Sequence, residues 1–145
     1  MKRAAAILSI VVLVCLTEAY AGKPRPLTFE IVMAADGFDR LAEEAGFHTH
    51  LAFTTFDASN GKRAVRTSAY FNTAEEAERY FDWKLKQAGQ IFTQGNKTVK
   101  GKVVGRRAVT SSKTGLWEVM WIYGSTFRSY SSDDRAVALE LERQY

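Results

Sequence analysis

The stretch FHTHLAFTTFDASNGKRAVRTSAYF, residues 47–71, decides the fold because it holds two alternating runs separated by a turn signal. Apolar and polar side chains alternate over 47–56 and again over 64–71, which is typical of half-buried β-strands. Asn60-Gly61 lies between the runs, and this dipeptide tolerates the positive φ angles of a tight hairpin turn. A register that places His50 opposite Tyr70 keeps the apolar sets on one face. We therefore predict an antiparallel hairpin.

A strong helix signal follows the hairpin. Thr73 and Glu76 form a capping box, in which the threonine oxygen accepts an orphan amide hydrogen and the glutamate reaches back towards the start of the helix. Apolar side chains then recur at spacings of three and four residues, which places them on one helix face: Ala77, Phe81, Leu85, Ala88 and Phe92. This pattern predicts a long helix from Thr73 that ends near Gly89 or Gly95.

The rest of the sequence predicts further strands and two more helices. We expect strands over 27–33, 98–110, 116–123 and 126–130, and helices over 36–45 and from Ser131 or Ser132 to the last residue. Gly101 and Gly105 inside the second of these strands suggest a bulge or a close backbone approach.

The predicted element order is β-α-β-β-α-β-β-β-α. Hairpins separated by helices favour an α+β fold, a two-layer sandwich in which a mostly antiparallel sheet carries the helices on one face. The length of the segment fits a single globular domain over residues 27–145.

The start of the chain has the three parts of a secretion signal. Lys2 and Arg3 are followed by an uncharged apolar run over residues 4–16 and by small residues at the cleavage-site positions of Ala19-Tyr20-Ala21. The apolar run is shorter than the about 20 residues that a membrane-spanning helix needs. We expect a cleavable signal peptide over 1–21, a short extended leader over 22–26, export to the periplasm or the medium, and no permanent membrane span.

Cys15 is the only cysteine. A lipoprotein would acylate it, but that pattern requires a small residue where Val14 stands, so cleavage after Ala21 is favoured. The mature domain would then contain no thiol, and therefore no disulfide, thiolate metal site or cysteine nucleophile. Small secreted eukaryotic domains often depend on disulfides, so a cysteine-free domain favours a bacterial envelope protein.

A run of basic residues is the first candidate for function. Residues 97–107 contain no acid and five cations: Lys97, Lys100, Lys102, Arg106 and Arg107. If the run is one strand, Lys100, Lys102 and Arg106 share a face, and Arg66 joins them if the sheet order allows. Such a patch attracts anions. The alternative is a charged edge strand that resists aggregation. The net charge of the whole chain, +4, does not indicate nucleic acid.

His48-Thr49-His50 is a second candidate, for a metal ion. Residues two apart on a strand point to one face, so both imidazoles could bind one ion, but catalytic zinc needs a third protein ligand. No Asp or Glu has a spacing that nominates it, and an exposed pair on a solvated strand is the alternative.

Aromatic side chains alternate along the segment from Trp117 through Trp121 to Tyr123. This stripe indicates a core beneath a helix, with stacking on a sugar or an apolar ligand as the alternative. Glu118 lies among apolar neighbours, so we expect its carboxylate to be partly buried and paired, with an arginine as the expected partner.

No catalytic motif stands out. The sequence contains neither a Gly-x-Ser-x-Gly elbow nor a phosphate-binding glycine loop. We therefore expect a non-enzymatic exported binding or accessory domain, without a cofactor, whose partner is an anionic ligand, an envelope component or a protein. The cations expected to bind are Lys100, Lys102, Arg106 and Arg66. Two alternatives stay open: a metal-assisted hydrolase that uses His48 and His50, and a protein–protein module or homodimer formed through an open sheet face.

Overall fold

A computed structural model describes residues 25–145 of the chain. The expected signal peptide, Cys15 and most of the expected leader lie outside this range. The described part forms one seven-stranded antiparallel sheet with three helices, so the α+β expectation is confirmed at this level. Within residues 25–145, no helix combines the length and the apolar character needed to cross a membrane.

Seven strands and three helices follow one another over residues 25–145. The strands are β1 Phe29–Gly37, β2 His50–Ala58, β3 Arg63–Tyr70, β4 Gln90–Val99, β5 Lys102–Ser111, β6 Trp117–Tyr123 and β7 Thr126–Ser132. The helices are α1 Arg40–Glu44, α2 Ala74–Gln87 and α3 Arg135–Gln144. Across the sheet the order is β1-β2-β3-β7-β6-β5-β4, so β1 and β4 form the two edges.

The β2–β3 hairpin has the predicted register, with His50 opposite Tyr70. Its turn contains Gly61 at φ 83°, a conformation that favours glycine. The Lys62 N–H donates to the Asn60 side-chain oxygen at 3.1 Å, which stabilises the turn locally. Local turn chemistry and the burial pattern therefore agree on one pairing.

Helix α2 begins as predicted but ends early. The Glu76 N–H donates to Thr73 Oγ1 at 3.2 Å, and the Glu76 carboxylate accepts from the N–H of Asn72. The helix stops at Gln87 because the Gly89 N–H donates to the Ser111 carbonyl at 2.8 Å, which starts the β4–β5 pairing. Phe92, expected on the helix, therefore lies in β4.

The strand expected over 98–110 is one arm of a hairpin formed by β4 and β5. Lys100 at φ 49° and Gly101 at φ 77° connect the two arms, and positive φ at both central residues is what a two-residue turn requires. The element order therefore gains one strand over the predicted order. The last helix also differs, since Asp134 rather than Ser131 or Ser132 caps it through hydrogen bonds from two amides.

A bulge interrupts β5 at Val104. Lys97 pairs with Gly105 and Thr98 pairs with Val103, so Val104 is an extra residue in the ladder. A Cβ on Gly105 would lie 1.8 Å from the Ile122 carbonyl oxygen, so the backbones approach closely there. The bulge and the close approach are therefore confirmed at and beside Gly105, whereas Gly101 lies in the turn. Because of the extra residue, two side chains of β5 at an even spacing, one on each side of Val104, point to opposite faces of the sheet.

The helices α2 and α3 contact different residues of the same strands. Tyr80 of α2 packs edge-on against Phe127 and belongs to one buried cluster with Met120. Helix α3 packs on Val119 and Tyr130 instead. Alternate residues of a strand point to opposite faces, so we call these surfaces the α2 face and the α3 face. The expectation that all helices pack on one face is therefore not confirmed.

Replacing Gly105 with alanine should destabilise the protein by about 2 kcal/mol or more, because the added Cβ meets backbone that cannot move aside. Gly95→Ala is the matched control, since a Cβ at that edge position meets no atom within 4 Å. We expect the control to change the free energy of unfolding by less than about 1 kcal/mol. Urea denaturation measures both variants, and equal effects would show that the close approach at Gly105 does not constrain the fold.

Candidate functional site

A groove with a volume of about 580 Å³ lies on the α3 face. Four lysines or arginines and three aromatic residues contribute to it, and no acidic side chain does. We call it the basic groove. Its lining residues are Lys97, Val99, Lys100, Lys102, Val104, Trp121, Tyr123, Arg128 and Tyr145.

Several separate elements bring these side chains together. The tight turn between β4 and β5 places Lys100 at the groove, and the bulge at Val104 lets Lys102 line it as well. The β6–β7 register sets Trp121 directly opposite Arg128 in the sheet. Tyr145, immediately after α3, completes the lining. The site is therefore built by tertiary packing rather than by one sequence motif.

Two cations of the groove lie over the ring of Trp121. The Arg128 guanidinium carbon lies 5.3 Å from its ring centroid, and the Lys97 Nζ lies 4.8 Å from it. Cations at such distances are attracted by the ring's quadrupole. Trp121 Nε1 and Arg128 Nε are buried and have no hydrogen-bond partner among the described residues. A buried donor left unpaired costs about 1–3 kcal/mol, so an acceptor would be favoured here.

Glu142 of α3 forms ion pairs with Arg107 and Lys97 on this face. Its carboxylate accepts two hydrogen bonds from Arg107, at 2.8 and 2.6 Å, and lies 3.4 Å from the Lys97 Nζ. Burial alone would raise the pKa of Glu142, but the hydrogen bonds and charge of Arg107, with Lys97, outweigh it and lower the pKa. This network fixes the end of α3 on the sheet.

Three cations of the basic groove have no such partner. Among residues 25–145, no carboxylate forms an ion pair with Lys100, Lys102 or Arg128. Acidic side chains of the described residues therefore balance the charge of Lys97 but not the charges of these three cations.

Arg106 does not join Lys100 and Lys102, contrary to expectation. The bulge between Lys102 and Arg106 breaks their common alternation, and Arg106 points to the α2 face. There its guanidinium donates to Glu78 and Asp82 at 2.8 Å each. Arg106 therefore anchors α2 on the sheet.

Arg66 lies on the α3 face but does not line the basic groove. It donates to Thr54 Oγ1 at 3.3 Å, and its guanidinium carbon is 5.6 Å from the Tyr145 ring centroid. Arg66 therefore supports a lining residue rather than contacting the groove itself.

Part of the groove was not predicted from the sequence. The aromatic stripe divides in the structure, since Val119 is core beneath α3 while Trp121 and Tyr123 line the groove. Arg128 was not a candidate, although it alternates with buried side chains on a central strand, and a basic residue in that position is a usable signal. Tyr145 carries no local signal, because only the packing of α3 brings it near Trp121.

The two histidines lie apart from the groove and are exposed. The Nε2 of His50 is 3.5 Å from a carboxylate oxygen of Asp36, and His48 lines a separate small pocket with Glu76 and Arg79. Over the described part of the chain, no three His, Cys, Asp or Glu side chains are grouped so that they could hold a metal ion.

Glu118 is partly buried and paired, as expected, but its partner is Lys84 of α2 at 3.1 Å rather than an arginine. The pair borders a pocket of about 310 Å³ on the α2 face, next to Tyr80. Burial raises the pKa of Tyr80, so its hydroxyl stays protonated at neutral pH.

Comparisons with known proteins do not assign a function to either pocket. No family model, curated protein or solved structure matches the chain. The chemistry of the basic groove is therefore the basis for a functional proposal.

Glu142→Gln should destabilise the protein at neutral pH by about 2 kcal/mol, because Arg107 and Lys97 would lose a charged acceptor. The free energy of unfolding of the variant should also change less with pH in the acid range. A lowered folded-state pKa gives stability that is present above the unfolded value of about 4.5 and is lost as the pH falls below it. Urea denaturation at pH 7 and at several points below 4.5 measures both effects. Parallel pH dependences for the two proteins would contradict the role given to Glu142.

Proposed function

We propose that this chain is an exported, non-enzymatic binding or accessory domain that holds an anionic ligand with an apolar or aromatic part in the basic groove. One observation carries the proposal: four cations and three aromatic rings line a single groove without an acidic side chain. The secretion pattern of residues 1–21 supports export to the periplasm or the medium, where envelope components supply such ligands.

The charge of the ligand follows from the unpaired cations. Lys100, Lys102 and Arg128 stand together without carboxylate partners among the described residues. Charges in a concave, partly apolar site interact more strongly than charges in open water, since the surrounding dielectric constant is lower. A ligand with one or two negative charges would complement them. Phosphate, sulfate and carboxylate groups share this chemistry and also accept hydrogen bonds from arginine and lysine.

The apolar part of the ligand follows from the remaining lining. Val99 and Val104 contribute aliphatic surface, and Trp121, Tyr123 and Tyr145 contribute rings. Burial of apolar surface contributes about 25 cal/mol per Å², so a hydrocarbon chain or a flat ring would add to the affinity. A bare inorganic anion would use only the cations.

An edge-strand homodimer is the second candidate, because β1 exposes three neighbouring apolar side chains. Ile31, Val32 and Met33 are each at least half exposed on a strand that, among the described strands, pairs only with β2. Unpaired strand edges of this kind can add a strand from another chain. Sedimentation velocity over a range of concentrations tests the candidate, and a monomer at every concentration would remove it.

The double variant Lys100→Asn/Lys102→Gln should weaken binding of naphthalene-2-sulfonate at least about tenfold, since hydrogen bonds to charged groups contribute about 1.5–3 kcal/mol each. It should keep its stability, because Asn readily adopts the positive φ that Lys100 has. Isothermal titration calorimetry measures the affinity, and urea denaturation measures the stability.

Lys113→Gln is the matched control, since Lys113 is an exposed lysine in the turn at the opposite end of β5. It should bind the sulfonate as the unchanged protein does. The uncharged compound 2-naphthol should bind the double variant and the unchanged protein equally. Equal sulfonate affinity for the double variant and the unchanged protein, or no sulfonate binding at all, would overturn the proposal.

A further inference from the structure

The tip of the β4–β5 hairpin projects beyond the rest of the sheet. Gly105 pairs with Tyr123, the last residue of β6, so Lys102 and Val103 extend past β6 and pair with β4, while Val104 is the bulge residue. Two paired strand residues correspond to about 7 Å. One side of this projection belongs to the basic groove, since Lys100 and Lys102 line it.

The same end of the sheet exposes large apolar and aromatic side chains. Val99 is 48 % exposed, Val103 is 62 % exposed and Tyr123 is 58 % exposed. Tyr70, 60 % exposed, stands two strands from Tyr123, because both residues pair with Thr126 of β7 from its two sides. We call Val99, Val103, Tyr123 and Tyr70 the rim.

The charge of the β4–β5 hairpin has one sign. No acidic residue occurs between Asp82 and Glu118, a stretch that contains the whole β4–β5 hairpin. At the tip itself, Lys100 and Lys102 lie between Val99 and Val103 in the sequence. An apolar tip flanked only by cations is complementary to a surface that offers hydrocarbon beneath negative charge.

We propose that the rim docks on an anionic lipid membrane, with an acidic lipid headgroup bound in the basic groove. This inference rests on the proposed function and names the source of its ligand. Val103 is decisive, because it is the most exposed residue of the rim and does not line the groove. A small soluble ligand would leave Val103 in water, whereas a membrane surface covers both sides of the hairpin tip.

The chemistry of each rim residue fits this placement. Tyrosine rings favour the membrane–water interface, where the ring contacts hydrocarbon and the hydroxyl stays hydrated. Lysine side chains extend from an apolar base towards charged headgroups. Each lysine near an anionic surface strengthens binding about fivefold, and salt weakens this contribution.

Vesicle co-sedimentation tests the inference with the protein recovered from the periplasm of an expressing bacterium, its N-terminus fixed by intact mass. The protein should bind vesicles of phosphatidylglycerol and phosphatidylcholine but not vesicles of phosphatidylcholine alone, and 0.5 M salt should weaken the binding. The tip variant Val103→Thr should weaken it at least about threefold, because one methyl group that the membrane would cover becomes a hydroxyl. Threonine keeps the β-branched shape, so folding should be preserved.

Val32→Thr is the matched control, since Val32 is an exposed valine on the opposite edge strand. It should bind anionic vesicles as the unchanged protein does. All variants share one N-terminus, so the comparison isolates the hairpin tip. Equal vesicle binding by the tip variant and the unchanged protein would overturn membrane docking.

Naphthalene-2-sulfonate separates this inference from the proposed function. The tip variant should keep its sulfonate affinity, because Val103 lies outside the groove. If the unchanged protein binds sulfonate but not anionic vesicles, membrane docking is wrong and the anion site stands. If it binds neither, both proposals are wrong.

Discussion

The close approach of Gly105 to the Ile122 carbonyl, beside the bulge at Val104, determines how the cations of β5 are distributed. Without the extra residue, Lys102 and Arg106 would point the same way. With it, Arg106 holds α2 on one face, while Lys102 stays on the α3 face with the groove. One backbone irregularity therefore separates the charges that stabilise the fold from the charges available to a ligand, which is typical of bulges near functional sites.

The fold was predictable from the sequence wherever local signals and burial agree. The β2–β3 register followed from Asn60-Gly61 and the alternation, and the start of α2 followed from its capping box. The segment after Gln87 was not predictable in this way, because Ala88 and Phe92 also fit helical spacing. The hydrogen bond from Gly89 to Ser111 decides its structure, and that contact is distant in sequence. The placement of α2 and α3 against different residues of the same strands likewise depends on tertiary packing.

Only part of the candidate site was predictable from the sequence, because tertiary packing brings in the rest of its lining. The acid-free basic run identified Lys100 and Lys102, and the histidine pair proved to be a separate, exposed feature. Arg128 and Tyr145 reach the groove only through strand order and the docking of α3, which Glu142 fixes through Arg107. Trp121 was expected in the core, but it lines the groove, and the cations of Lys97 and Arg128 lie over its ring.

The indole N–H resonances of the three tryptophans give the most direct test of the central claim, that anions bind beside Trp121. In ¹⁵N-labelled protein titrated with dodecyl phosphate below its micelle concentration, the Trp121 resonance should shift progressively and saturate. Trp83, which lies on α2 away from the groove, should not move. A saturating shift at Trp83 with Trp121 unchanged would contradict the account and place the anion site on the α2 face.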